Sequence, residues 1–185
     1  MNDGKIIELF FERSDEAITE LSEKYGRLAI SLARNILGDE GDAEECVNDA
    51  YLAAWNNIPP EQPLALGSYL CGIVRNLSYS RLRRQSAAKR RPEALIALDE
   101  LSEAIPSSDS VDGAAEAKAL SEAIDRFLGT LAADDRVIFL RRYWFSDSVS
   151  DIAARLNRRP HYISVRLSRV RAKLKKYLTN EGITI

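Results

Sequence analysis

The side chains best able to do chemistry are Arg158, Arg159, His161, Tyr162, Ser164, Val165, Arg166, Ser168 and Arg169, followed closely by Arg171 and Lys173. Their chemistry is binding rather than bond-making. Guanidinium groups pair with phosphates or with the outer edge of guanine, hydroxyls serve either, and a small apolar side chain such as Val165 suits a thymine methyl. No carboxylate occurs between Asp151 and Glu181 to neutralise this face. A basic run alone would equally describe a solvated helix, so the elements that carry it have to decide.

Those elements read as two helices joined by a tight turn. Ser148 followed by Asp151 is a capping-box pattern that opens a helix. Its Ile152, Ala153 and Leu156 face one way, and Asn157 tolerates the left-handed geometry that ends it. Pro160 then suits a first helical position, where its fixed φ helps and its missing N–H costs nothing. Beyond it Ile163, Leu167, Val170 and Leu174 recur at spacings of three and four and form a buried stripe. This is a helix–turn–helix whose second helix would place its start in the major groove, with Arg158, Arg159, Ser164 and Arg166 suited to phosphates.

Composition allows for that function although net charge conceals it. The 185 residues are 45% hydrophobic and 29% charged, with a formal net charge of −2, ordinary for a globular protein of one or two domains. The charge is segregated: basic blocks at Arg75 to Arg91 and Arg155 to Lys176 alternate with acidic ones at Asp39 to Asp49 and Glu93 to Asp135. The cysteines, Cys46 and Cys71, lack C-x-x-C spacing and lie in apolar helical surroundings, so buried thiols in the reducing cytoplasm are expected. No apolar run or leader pattern points to membrane insertion. Asp42, Glu45 and Asp49 share one helix without a second ligand set, so neither a metal nor another cofactor is expected.

The remaining periodicity is all helical. Lys5 to Glu12 predicts a short helix, and Ser14 caps a longer one carrying Ile18, Leu21, Tyr25, Leu28, Leu32 and Ile36 that Gly38 ends. Asp42 and Glu45 open the next as a second capping box, with Ala43, Val47, Ala50, Tyr51 and Ala54 inside. Asn56 to Pro63 is an exposed loop, and Leu66 to Arg91 predicts a long helix. Pro92 to Gly113 is acidic and rich in Ser, Ala and Pro, which predicts a flexible linker spanning about 25–30 Å. Helices around Leu120 to Leu131 and Val137 to Trp144 lead into the helix–turn–helix. The expected fold is therefore all-α, with two small helical domains at 1–91 and 114–185 joined by a flexible acidic linker at 92–113.

Three blocks in this order resemble the extracytoplasmic-function (group IV) sigma factors of bacterial RNA polymerase. Asp42 to Trp55 is similar to the region-two motif that binds the clamp helices of the polymerase largest subunit. Ser68 to Arg84 is similar to the part that melts and reads the minus-ten element, with Tyr69 where Trp is common, Leu66 where Phe is frequent and Ser80 where Asp is frequent. Leu128 to Leu174 looks like region four, reader of the minus-thirty-five element, and the resemblance implies base-facing positions at Val165, Ser168 and Arg169. The resemblance implies a cytoplasmic, non-enzymatic initiation factor that brings core polymerase to promoter DNA and helps open it, restrained by an anti-sigma factor. It places polymerase contacts at Glu45, Asn48, Asp49 and Leu52. It places Asn76 and the loop before Tyr69 at the non-template strand, with Ser68, Tyr69 and Tyr79 among the expected minus-ten contacts. A loop ahead of a basic helix can receive an unstacked base while Arg81, Arg83 and Arg84 hold the backbone. The competing reading is a helix–turn–helix regulator that acts without polymerase, which would have no use for the Asp42 to Trp55 block.

Overall fold

Asn2 accepts the Lys5 N–H at 2.9 Å and so starts α1, Asp3–Phe11. The computed structural model describes residues 1–84, 93–102, 104–106 and 114–183, and no strand occurs among them. The chain divides into two compact units, Met1–Pro92 and Glu93–Ile185.

In the first unit α2 runs over Glu16–Leu37 and ends where Gly38 turns left-handed at φ 73°, its N–H bonding the Arg34 carbonyl at 2.7 Å. The expected Ser14 cap is replaced by a backbone contact, with the Ala17 N–H on the Ser14 carbonyl at 3.0 Å. Helix α3, Glu40–Asn57, begins earlier than its carboxylates suggest. Asp39 is the N-cap, its side chain accepting the Asp42 N–H at 3.1 Å, so Asp42 and Glu45 lie within the helix rather than opening it. Helix α4 covers Leu66–Arg84, and the expected continuation over 85–91 lies outside the described residues. Helices α2, α3 and α4 pack on one another, with α1 laid against α2. Leu21, Leu32, Ile36, Val47, Leu66, Leu70 and Val74 are buried between them, whereas Ile73, Leu77 and Leu82 are only partly covered. Cys46 and Cys71 are buried free thiols whose pKa values burial pushes up.

The second unit contains α5, Glu93–Ser102; α6, Ala114–Thr130; α7, Ala133–Tyr143; α8, Val149–Arg155; and α9, Pro160–Asn180. Helix α5 corrects the linker reading of 92–113. Residues 93–102 are helical and packed on α7, because Ala97 and Leu101 join the core and Arg142 draws in two carboxylates. Residues 92, 103 and 107–113 of that stretch lie outside the described residues. The predicted stripe of α9 is buried as expected, Ile163, Leu167, Val170 and Leu174 being joined by Leu178. At about 1.5–3 kcal/mol for each large aliphatic side chain removed from water, this stripe fixes the helix and leaves its opposite face to solvent.

Candidate nucleic-acid interface

The local chemistry that starts α8 and α9 is the one read from the residues. Ser148 Oγ accepts the Asp151 N–H at 3.0 Å and donates its own proton to the Asp151 carboxylate at 2.7 Å, so the carboxylate holds the capping hydroxyl instead of a backbone N–H. Asn157 is left-handed at φ 50°, and Pro160 occupies the first turn of α9. Arg158, Arg159, His161, Tyr162, Ser164, Ser168 and Arg169 are exposed, and Val165 is half-buried. The Arg158 guanidinium lies 5.7 Å from the centre of the Tyr162 ring and that of Arg166 lies 5.8 Å from it. Two cations thus brace one aromatic ring, and Asn157, Arg158, Arg159 and Tyr162 line a shallow groove at the helix start. Ser164 donates to the Pro160 carbonyl at 3.3 Å.

Arg166 differs from its neighbours. Its Nε lies 2.6 Å from the carboxylate of Asp135 on α7, and Asp135 is only 6% exposed. That hydrogen bond raises the Arg166 pKa and ties α9 to α7. The sequence pattern could not separate this arginine from the others, because its partner is distant in the chain.

Helix α4 brings together some of the expected minus-ten residues and separates others. Ser68, Asn76, Tyr79 and Arg83 recur at helical spacing through Gly72 and share one face. Arg75 lies on the same face, its guanidinium 5.0 Å from the Tyr79 ring centre and its pKa lowered by burial. It was not among the expected site residues, although its four-residue spacing from Tyr79 is a signal for it. Arg84 is exposed to one side, its Nε on the Ser80 carbonyl at 3.2 Å, and Tyr69 is half-buried. The Tyr69 hydroxyl is buried beside Glu61 and Asn57 without a well-formed hydrogen bond, and burial raises its pKa. Arg81 faces elsewhere: it pairs with Asp42 at 3.1 Å and with Glu45, both on α3.

On α3, Glu45, Asn48, Asp49 and Leu52 are all exposed and follow one another at helical spacing, with Leu52 59% accessible. A large aliphatic side chain left in water among polar neighbours suits a protein contact. Between α3 and α4, Ile58 and Leu66 are fully buried while Glu61, Gln62 and Leu64 stand in solvent, so both ends of the loop are anchored and its middle is presented.

The family model for Sigma-70 region 2 matches residues 21–88, which includes α3, the loop and α4. The model for Sigma-70, region 4 matches residues 121–174, from α6 into α9. No curated protein matches the chain. Among the described residues no helix is long and apolar enough to cross a membrane.

Proposed function

Since the chain belongs to the extracytoplasmic-function sigma factors, and so is an initiation factor that directs RNA polymerase to promoters, we propose that three surfaces divide this work. The exposed stripe of α3, Glu45, Asn48, Asp49 and Leu52, docks on the clamp helices of the polymerase largest subunit. The loop before α4 receives an unstacked base of the non-template strand, and Ser68, Asn76, Tyr79 and Arg83 follow that strand. The start of α9 reads the minus-thirty-five element through Arg169, Ser168 and Val165, with Arg158 and Arg159 on phosphates. The chain performs no bond chemistry itself and works in the cytoplasm with polymerase and chromosome.

The observation that carries this reading is the order of the two family matches, each falling within a separate compact unit. A regulator independent of polymerase needs only the second. The test is permanganate reactivity of minus-ten thymines: opening is expected only with chain and core polymerase together, and opening or specific occupancy unaffected by core would contradict the reading.

An anti-sigma protein that covers the α3 stripe and a basic face completes the proposal. Linker carboxylates are weaker candidates for silencing, because exposed ion pairs contribute about 0–1 kcal/mol each and Glu100 is already engaged by Arg142 and Arg171. The purified chain should therefore be active with core polymerase. Near inactivity relieved by neutralising Asp109 and Asp112, which lie outside the described residues, would favour the linker instead.

A further inference from the structure

Helix α4 lacks a cap of its own. The residue before its first turn is Ala65, which has no side-chain acceptor, and alanine is among the poorest N-cap residues. The acceptor comes from α1 instead. Asp3 Oδ2 accepts the Leu66 N–H at 3.2 Å, while its Oδ1 accepts the Tyr25 hydroxyl at 2.6 Å and the Lys24 ammonium at 2.7 Å. A carboxylate at a helix N-terminus is favoured by the exposed N–H groups and the helix dipole. Lys24 and Tyr25, in that order, hold Asp3 ionised by lowering its pKa.

The same corner is sterically closed. The Tyr25 ring lies so near Gly67 that a Cβ there would sit 2.6 Å from Tyr25 Cε1. Tyr25 therefore touches the first turn of α4 and also donates to the carboxylate that caps it. The exposed loop ending at Ala65 joins α4 at this point, so the direction in which the loop leaves the helix depends on Asp3 and Tyr25.

We propose that Asp3 is a positioning residue for promoter opening, setting the first turn of α4 and through it the loop that receives the unstacked base. The inference rests on that loop being the base-receiving element. Asp3 touches no DNA in this account; it acts through Leu66 and Tyr25. Asn in its place keeps the shape, and because the Lys24 ammonium and the Tyr25 hydroxyl both require the oxygen, its NH2 is turned against the Leu66 N–H and the cap is lost.

The test uses the full chain with core polymerase and a promoter carrying 2-aminopurine in the minus-ten element, well below the melting temperature of every variant. Asp3→Asn should reduce the open fraction by about fivefold, the factor by which losing one helix cap weakens a helix carried through to the loop, with affinity for core polymerase unchanged. Adding Ala65→Asp, which supplies a local cap, should restore opening. Rescue separates positioning from a structural role in packing α1 on α2, which a cap at residue 65 would not repair. Normal opening by Asp3→Asn, or a defect that Ala65→Asp leaves untouched, overturns the proposal. A loop variant, Gln62→Gly with Leu64→Gly, is measured alongside. If it opens DNA normally, the base-receiving role of the loop fails and the proposal with it; if it is defective while Asp3→Asn is normal, only the proposal fails.

Discussion

One edge of the Arg142 guanidinium holds both carboxylate oxygens of Glu100, Nη2 2.7 Å from Oε1 and Nε 3.1 Å from Oε2. Arg142 is 2% exposed, pairs also with Glu93 at 2.9 Å and donates to the Asp147 carbonyl at 2.9 Å. Burial opposes its charge, but Glu100 and Glu93 outweigh that and leave its pKa raised. This pair turns an acidic stretch that looks like tether into a helix of the second unit. Arg142→Met would remove the guanidinium from Glu93 and leave Glu100 with only Arg171 and the Tyr143 hydroxyl. Because both carboxylates keep some water contact, the loss should fall at about 2–4 kcal/mol, near or below the range for breaking a fully buried pair. Urea unfolding followed by Trp144 fluorescence in a Trp55→Phe background measures it. Hydrogen exchange at 93–102 should rise in the same variant, and unchanged protection there would separate α5 from Arg142.

How much was legible in the sequence follows from where each signal resides. Ser148, Asn157 and Pro160 act within a few residues of themselves, so the helix–turn–helix was readable. Glu93 and Glu100 act through Arg142, and Arg166 through Asp135, across distances in sequence that no local pattern records. The helix at 93–102 therefore has no decisive local signal, and pattern alone does not tell Arg166 from the other arginines of its helix. The partners of Arg81, Asp42 and Glu45, lie on another helix and leave no local signal either.

Arg166→Ala should behave unlike its neighbours. It would leave Asp135 buried without its guanidinium and destabilise the second unit by about 1–3 kcal/mol. Arg159→Ala should leave stability unchanged, weaken binding to all DNA sequences alike and reduce the salt slope by about one unit. Thermal melts beside DNA titrations at several salt concentrations distinguish them, and an equal loss of stability in both variants would contradict the pairing.

Arg169→Ala should cost about 1–3 kcal/mol on the preferred promoter and relax preference at one position of the minus-thirty-five element. Competition binding against single-base variants of that element reports it. Uniform weakening across all variants would reassign Arg169 to the phosphates.

Burial raises the Tyr143 pKa from 10.0 to about 12, with Arg171 pulling the other way. Between those values the folded state keeps a proton that the unfolded state has released. The Tyr143 contribution is therefore fully present below about pH 10 and is lost as pH rises towards 12, on the order of 2–3 kcal/mol. Denaturant midpoints across that window should fall less steeply in Tyr143→Phe than in the wild-type chain, and identical slopes would remove Tyr143 from the effect.

The α3 stripe is tested by charge. Asp49→Arg reverses an exposed carboxylate beside Leu52 and should weaken binding to core polymerase by about 1–3 kcal/mol without changing the fold. Fluorescence anisotropy with labelled chain reads the affinity and circular dichroism the fold, and unchanged affinity in the folded variant would move the polymerase contact elsewhere.

The central claim is that this chain gives core polymerase its promoter. Run-off transcription from a promoter library with core polymerase alone, with the chain added, and with the Asp49→Arg chain added tests it most directly. Discrete start sites that appear with the wild-type chain and fade with Asp49→Arg are the predicted result. A chain that binds promoter DNA tightly by itself, yet adds no start sites to core polymerase, would contradict the account.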